Sequence, residues 1–270
     1  MIVDLVAPPS SFARTIVNES PCATSLSYAC QLTTSAIMAV KQASAFITKA
    51  RLHTTTNLRT LEVERKFIPT TSSITLLRTN TGVPPFSSHL HVGLSRTHDV
   101  YYDKGGKLMQ AGIYLRQRNG KWEAKVRQGG NYTNSQFDEI TNMTEIQLLA
   151  RGVLDGERGK RDGKMFDLQN ELSAVADFRT EREEWEVDNG VKVVLDKADF
   201  GCVVGEVEIC ERVDRGRMKE RATVLDDRIE RFIDRYEWAF PRGEKVVGKL
   251  EAWFRWKETT LGLKRGAALR

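Results

Sequence analysis

The chain has 270 residues, of which 40% are hydrophobic and 29% are charged, so it can form one large domain or two small ones. Its 41 basic and 36 acidic residues give a net charge of +5 without a dense basic stripe, which argues against a nucleic-acid-binding surface. No apolar run is long enough to span a bilayer. We therefore expect neither a nucleic-acid partner nor a membrane association.

The four cysteines do not form a recognisable metal or disulfide pattern. None belongs to a Cys-x-x-Cys pair, and none has histidines near it at zinc-site spacing. We interpret them as isolated reduced thiols, which is typical of a reducing compartment. They are Cys22, Cys30, Cys202 and Cys210.

The first part of the chain differs in composition from the rest. No acidic residue occurs from Ser20 to Leu61, where Ser, Thr and Ala dominate, and residues 36–52 can be read as a basic amphipathic helix. This composition is typical of an organelle transit peptide, although Asp4 and Glu19 are unfavourable for one. We predict that residues 1–57 are a leader, disordered or transit-like, and that residues 58–270 form the domain. The expected compartment is the cytoplasm or the mitochondrion, with the cytoplasm slightly preferred.

The domain opens with an alternating stretch at residues 61–67. As a β-strand it places Glu62, Glu64 and Lys66 on one face and mostly apolar side chains on the other. Carboxylates two residues apart on a strand lie roughly 7 Å apart and repel each other. A divalent cation between them would make the arrangement favourable. Taken alone, the stretch is more typical of a half-exposed strand with a solvated charged face.

A β-hairpin is predicted in the middle of the chain. A short helical turn at residues 72–77 and a loop with Gly82 and Pro84 come first, followed by β character at residues 99–103. Two alternating runs, 113–118 and 121–127, then flank Asn119-Gly120, which is the strongest short hairpin signal. On the first strand Arg116 and Arg118 share a face. On the second strand the residues that share a face are Glu123, Lys125 and Arg127.

The remainder alternates between short strands and helices. After a strand at 137–140 the sequence predicts a helix over 145–151 capped by Thr144, an exposed loop over 154–164 and a helix over 166–176. Strands follow at 178–182, 184–187, 191–195 and 203–210, and the last of these carries Glu206 and Glu208 on one face. Helices at about 224–236 and 247–256 end the domain. About eight hairpin-linked strands indicate an α+β fold with a large antiparallel sheet.

Two architectures fit the charged strand faces. In the first, the apolar faces form an ordinary core and the charged faces contact water. In the second, the sheet closes with the charges inside and helices cover its apolar outside, and an eight-stranded barrel can hold one small ligand. Acidic and basic side chains mixed in such a lumen suit a polyanion with a metal ion. Periodicity does not decide between the two.

Several short motifs carry a resemblance to a known family. Glu62-Val63-Glu64-Arg65-Lys66-Phe67 matches a Glu-x-Glu-x-Lys signature, and further matching motifs follow in order over residues 61–257. On these motifs the chain resembles the CYTH superfamily of triphosphate tunnel metalloenzymes, and most of all its members that hydrolyse thiamine triphosphate. The further motifs are Tyr101-Tyr102-Asp103, Leu115-Arg116-Gln117-Arg118, Trp122-Glu123-Ala124-Lys125, Ala198-Asp199-Phe200-Gly201, Gly205-Glu206-Val207-Glu208 and Gly248-Lys249-Leu250-Glu251-Ala252-Trp253-Phe254.

The resemblance implies a closed eight-stranded antiparallel β-barrel tunnel with helices outside, and a metal-dependent hydrolase of thiamine triphosphate that acts as a monomer. The implied metal is Mg²⁺, or alternatively Mn²⁺. Catalytic roles are implied for Lys66, Arg118 and Lys125. Triphosphate binding is implied for Lys66, Arg116, Arg118, Lys125, Glu139, Arg182 and Lys249. Metal binding, directly or through water, is implied for Glu62, Glu64, Asp196, Glu206 and Glu208.

Two departures from the family pattern and two other functions stay open. The strand Val193-Val194-Leu195-Asp196 has a valine where related animal enzymes carry a further aspartate, so Asp196 is the only acidic residue of that face. Lys245 competes with Lys249 for the last basic role. Tyr101 or Tyr102 is a candidate partner of Lys66. The alternative functions are hydrolysis of inorganic triphosphate or another organic triphosphate, and non-catalytic binding of triphosphate or polyphosphate.

Overall fold

The structure is a computed structural model that describes residues 57–131, 133–155, 166–243 and 246–267. Both the predicted leader, apart from Asn57, and Lys245 therefore lie outside the described residues. The eight strands are β1 (Leu58–Phe67), β2 (His89–Asp103), β3 (Ile113–Arg118), β4 (Lys121–Gly130), β5 (Asn134–Ile140), β6 (Ser173–Val187), β7 (Val191–Ala198) and β8 (Val203–Asp214). The helices are α1 (Thr71–Thr79), α2 (Lys107–Gln110), α3 (Met143–Asp155), α4 (Leu168–Glu171), α5 (Met218–Arg235) and α6 (Lys249–Ala267).

The eight strands close into a ring in which every neighbouring pair is antiparallel. Around the ring the order is β1, β5, β4, β3, β2, β6, β7 and β8, and β8 pairs with β1 along the whole length of β1. The ring confirms the predicted α+β fold with a closed antiparallel sheet. It also decides between the two architectures, because the alternating charged faces point inward and the apolar faces point outward.

The outward faces form two hydrophobic cores under the helices. In the first, the amphipathic helix α5 covers the outer residues of β1, β7 and β8, where Val63, Val193 and Val207 are fully buried. In the second, α2, α3 and α4 cover β3, β4 and β5, with Ile113 and Ile146 at the centre. Fully burying such side chains contributes roughly 1.5–3 kcal/mol each, so these helices hold the ring closed from outside.

Helix α6 has a different position from the other helices. Its Trp253 packs with Tyr101 and Phe178, which belong to β2 and β6. Phe178 lies directly opposite Asp99 in the β2–β6 register, and paired residues of neighbouring strands point to the same face. Because Tyr101 shares this inner face with Asp99, α6 packs against the interior of the ring. None of the described helices is long and apolar enough to cross a membrane.

Three local predictions are wrong in detail. Residues 166–176 contain one short helical turn, α4, and then enter β6, which is one continuous strand of 15 residues. The cap of α3 is Asn142, whose Oδ1 accepts a hydrogen bond from the backbone N–H of Glu145, and not Thr144. Helix α6 continues beyond the predicted end at residue 256 to Ala267.

Candidate active site

Three glutamates meet inside the ring. Glu62 and Glu64 come from β1, and Glu208 of β8 lies directly opposite Glu64 in the strand register. All three are buried, and one carboxylate oxygen of each lies within 4.8 Å of the others. Three carboxylates with oxygen ligands only are the donor set that Mg²⁺ and Mn²⁺ prefer. The residues present therefore fit the divalent ion that the sequence implies.

The electrostatics of β8 agree with this fit. Burial raises the pKa of Glu208 to about 8, since Arg182 offsets the loss of hydration only in part. Glu206, two residues earlier, is also buried, but Lys249, Lys66 and Arg182 outweigh this burial and hold its pKa well below the ordinary value. The Glu208 carboxyl group is therefore mostly protonated near neutral pH, and a divalent cation beside it would favour its ionised form.

Two lysines bind these same carboxylates. Lys66 donates a hydrogen bond to Glu64, and Lys125 of β4 donates one to Glu62. Lys125 also lies 3.3 Å from a carboxylate oxygen of Glu139. Burial lowers the pKa of Lys125, but Glu62, Glu64 and Glu139 together raise it well above the ordinary value. Lys125 is therefore a permanent cation in the tunnel.

A pair of arginines forms the wall contributed by β3. Arg118 donates two hydrogen bonds of 2.8 Å, from Nε and Nη2, to the two carboxylate oxygens of Asp99. Arg116 donates to Glu123 from Nε and Nη2 at 3.0 and 2.9 Å and to the hydroxyl of Tyr101 from Nη1 at 3.3 Å. Tyr101 therefore contacts Arg116 and not Lys66, the partner considered from the sequence.

A second basic group lies on β6 and at the start of α6. Arg182 donates two hydrogen bonds of 2.7 Å to Asp196, and Lys249 donates to the same carboxylate. Lys249 also donates to Glu206 at 3.3 Å. The structure thus places Asp196 with the basic side chains rather than in the group of Glu62, Glu64 and Glu208. A metal-binding role for Asp196 stays a prediction.

One cavity of about 510 Å³ connects the glutamates, lysines and arginines of the site. Eleven of the twelve candidate residues line it, and only Asp196 does not. The lining candidates are Glu62, Glu64, Lys66, Arg116, Arg118, Lys125, Glu139, Arg182, Glu206, Glu208 and Lys249.

Sequence reasoning missed an aromatic and apolar part of the same cavity. Its lining includes Tyr114, Phe137 and Phe254, together with Met109 and Leu250. Tyr114 and Phe137 make an edge-to-face contact with ring centroids 5.9 Å apart. The alternation of β3 carries the signal for Tyr114, which lies two residues before Arg116 and therefore on the same face.

Comparisons with known proteins agree with the geometry. The family model described as the CYTH domain matches residues 60–220. The chain is 30% identical over 161 residues to the thiamine-triphosphatase of Homo sapiens, a match that covers 55% of this chain and 67% of the human protein. It is 32% identical over 162 residues to the thiamine-triphosphatase of Macaca fascicularis, with the same two coverages.

Solved structures include more distant likenesses. A protein from Hippeastrum with a dominant triphosphatase activity is 20% identical, with a TM-score of 0.43, and the match covers 73% of this chain and 95% of that one. A protein from Pyrococcus horikoshii is 16% identical, with a TM-score of 0.43 and coverages of 72% and 98%.

Proposed function

The chain belongs to the CYTH domain family, and on this basis we propose that it hydrolyses thiamine triphosphate to thiamine diphosphate and phosphate. The observation that carries the proposal is one cavity that combines three adjoining glutamates, the six basic side chains implied by the sequence and an aromatic part. The six are Lys66, Arg116, Arg118, Lys125, Arg182 and Lys249. The similarity to two mammalian thiamine-triphosphatases supports thiamine as the organic group.

The basic residues bind and orient the triphosphate in this proposal. Arg116 and Arg118 on one wall and Arg182 on another offer planar guanidinium groups, which bind phosphate oxygens in pairs. Lys66, Lys125 and Lys249 add further positive charge. Although burial lowers the pKa of Lys125 and of Lys249, the adjoining carboxylates outweigh it and raise both above the ordinary value. A water oxygen attacks the terminal phosphorus, the bond to the bridging oxygen breaks, and the diphosphate leaves with that electron pair. The surrounding cations offset the charge that moves onto the bridging oxygen.

The glutamates form the acidic half of the cavity. Glu62, Glu64 and Glu208 would hold a divalent ion. Glu206 lies next to them and accepts a hydrogen bond from Lys249. When bound, such an ion supplies Lewis-acid stabilisation of phosphate oxygens. A protein that only binds anions gains nothing from adjoining buried carboxylates, because they repel its ligand and one another. The acidic group therefore favours hydrolysis over a non-catalytic triphosphate-binding module.

The aromatic part of the cavity favours an organic triphosphate over an inorganic one. Tyr114, Phe137 and Phe254 offer ring faces and edges that inorganic triphosphate has no group to contact, whereas a flat heterocycle can stack on them. A second function, hydrolysis of inorganic triphosphate, uses the same phosphate-binding groups and is the alternative that the substrate test has to separate.

A substrate panel tests the proposal. The purified full-length protein is given thiamine triphosphate, inorganic triphosphate, ATP and a 5′-triphosphorylated RNA, with Mg²⁺, with Mn²⁺ and with a chelator, and release of phosphate and pyrophosphate is measured. We expect metal-dependent release of phosphate, with the highest kcat/KM for thiamine triphosphate. A preference for inorganic triphosphate contradicts the thiamine assignment. Tight binding without release under any metal condition contradicts hydrolysis.

A further inference from the structure

Asp99 is a buried carboxylate that has no assigned part in the chemistry. It lies on the inner face of β2 and has 0% exposed surface. In the β2–β3 register it is directly opposite Arg118, while Tyr101 is directly opposite Arg116. Burial raises the pKa of Asp99, but Arg118 and Arg116 outweigh this effect and lower it below the ordinary value. Asp99 is therefore an anion at neutral pH.

Asp99 does not reach the cavity, whereas its partners do. Arg116 and Arg118 line the cavity, and Asp99 is absent from its wall. The carboxylate contacts Arg118 through both oxygens at 2.8 Å and lies 4.0 Å from Nη1 of Arg116. A ligand in the cavity can therefore contact these two arginines but not Asp99 itself.

The contact fixes the orientation of the Arg118 guanidinium. Nε and Nη2 are held by Asp99, and no further partner of Arg118 is found among the residues that the structure describes. Two parallel hydrogen bonds to one carboxylate hold the guanidinium in a single plane, which leaves Nη1 available for a phosphate oxygen. A free arginine would lose side-chain entropy on binding a ligand, and a fixed one loses little.

We infer that Asp99 is a positioning residue, which holds Arg118 in the orientation that binds the triphosphate. This inference rests on the proposed function for the identity of the reaction. The geometric part, that Asp99 orients Arg118 for an anion, holds for any triphosphate.

Positioning and simple electrostatics predict opposite results when the charge of Asp99 is removed. A carboxylate near the tunnel repels a polyanion, so Asp99→Asn should strengthen triphosphate binding if charge alone mattered. If Asp99 positions Arg118, the same change weakens binding, because an amide offers one acceptor in place of two and turns an N–H group toward the guanidinium. The sign of the change therefore separates the two explanations.

Asp103→Asn is a matched control for this test. Asp103 is also a buried aspartate of β2, with 1% exposed surface, but its carboxylate accepts hydrogen bonds from the backbone N–H groups of Leu108 and Met109. It holds the start of α2 and touches neither arginine. The control variant carries the same chemical change on the same strand and is expected to lower stability without changing triphosphate affinity.

The first measurement is calorimetric binding of inorganic triphosphate in the presence of a chelator, followed by kcat and KM for thiamine triphosphate with Mg²⁺. We expect Asp99→Asn to weaken triphosphate binding and lower kcat/KM, each by about ten- to hundredfold, and Asp103→Asn to leave both near the wild-type values. Unchanged or tighter binding by Asp99→Asn overturns the inference, as does an equal loss in Asp103→Asn.

A second measurement needs no folded Asp99 variant. In ¹⁵N NMR spectra of the ligand-free wild-type protein, the side-chain signals of Arg118 are assigned by their loss in Arg118→Lys. Separate, slowly exchanging Nη signals show that the guanidinium is held, and one averaged signal shows that it rotates freely and overturns the inference. If the wild-type protein hydrolyses no triphosphate, the proposed function fails, while calorimetry and NMR still test the role of Asp99.

Discussion

Lys125 donates a hydrogen bond to Glu62 inside the tunnel, so a residue expected to bind phosphate is paired with one expected to bind metal. Lys66 and Glu64 form the same kind of pair on β1. A divalent ion and a lysine therefore compete for each of these carboxylates. A lysine displaced by the ion becomes available to phosphate oxygens, which indicates that metal and triphosphate favour each other's binding.

Removal of Lys125 should therefore strengthen metal binding and weaken triphosphate binding. In Lys125→Met the charges of Glu62 and Glu64 lose a nearby cation, so we expect the affinity for Mn²⁺ without triphosphate to rise by about tenfold, which corresponds to about 1.4 kcal/mol. Titration calorimetry with Mn²⁺ and with inorganic triphosphate measures both changes. The control is Lys121→Met, an exposed lysine on the same strand. A fall in Mn²⁺ affinity in Lys125→Met would contradict the competition.

Arg118 and Glu64 should both contribute strongly to turnover. Truncation of Arg118 to alanine would leave Asp99 as an unpaired buried charge. The informative change is therefore Arg118→Lys, which keeps the positive charge and removes the planar guanidinium group with its paired N–H donors. We expect Arg118→Lys and Glu64→Gln each to lower kcat/KM by about tenfold or more. Circular dichroism checks that both variants fold, and Arg96→Lys, at an exposed pair with Glu181, is the control. Full activity of both variants on every triphosphate would refute the tunnel site.

Phe254 should contribute to selectivity for an organic substrate. It lines the cavity one helical turn after Leu250, and Phe254→Ala removes a ring surface that only an organic group can contact. We expect KM for thiamine triphosphate to rise by about tenfold, consistent with an aromatic contact of about 1 kcal/mol and its buried area. KM for inorganic triphosphate should not change. Trp256→Ala, an exposed aromatic residue of the same helix, is the control, and a parallel rise in KM for both substrates would contradict the role.

Asp138 should make stability depend on pH. It lies on the outer face of β5, its Oδ1 has no hydrogen-bond partner among the described residues, and burial raises its pKa from 3.8 to about 6. The Asp138 carboxyl group thus binds its proton more tightly in the folded state than in the unfolded state. The stabilisation from this proton is complete below pH 3.8 and is lost as the pH rises through 6.

Asp138→Asn removes this loss. The free energy of unfolding of the variant minus that of the wild-type protein should increase by about 1–3 kcal/mol from pH 4 to pH 8. Urea unfolding followed by circular dichroism at several pH values measures the difference. A difference that stays constant across this pH range would show that Asp138 does not titrate as described.

The local periodicity of the sequence predicted which charged side chains share a strand face, and the family resemblance placed those faces inside a tunnel. Asn119 and Gly120 both adopt positive φ, 50° and 79°, which the two-residue turn between β3 and β4 requires. Once this hairpin is fixed, the period of two places Arg116, Arg118 and Lys125 on one face. The same reasoning applies to Glu62 and Glu64 on β1.

Long-range pairing explains what the sequence did not reveal. The spacing of Phe166, Leu172 and Val175 fits a helix, but Ala174 and Ala176 pair with β2, and this pairing overrides the local pattern. Asp196 lies on an inner face as expected. However, the register of β6 and β7 places it opposite Arg182, so its basic partners follow from a pairing that no local motif encodes.

The pairing of β1 with β8 also has a consequence for the order of folding. β1 is the first strand of the ring, and the strand that closes the ring beside it, β8, is the last to leave the ribosome. Glu64 and Glu208 meet only when these two ends pair, and their separation along the chain makes that step slow compared with the central hairpin. Closure of the ring and assembly of the carboxylate group are therefore one event, so a nascent chain gains a site for a divalent ion only when its sheet has closed.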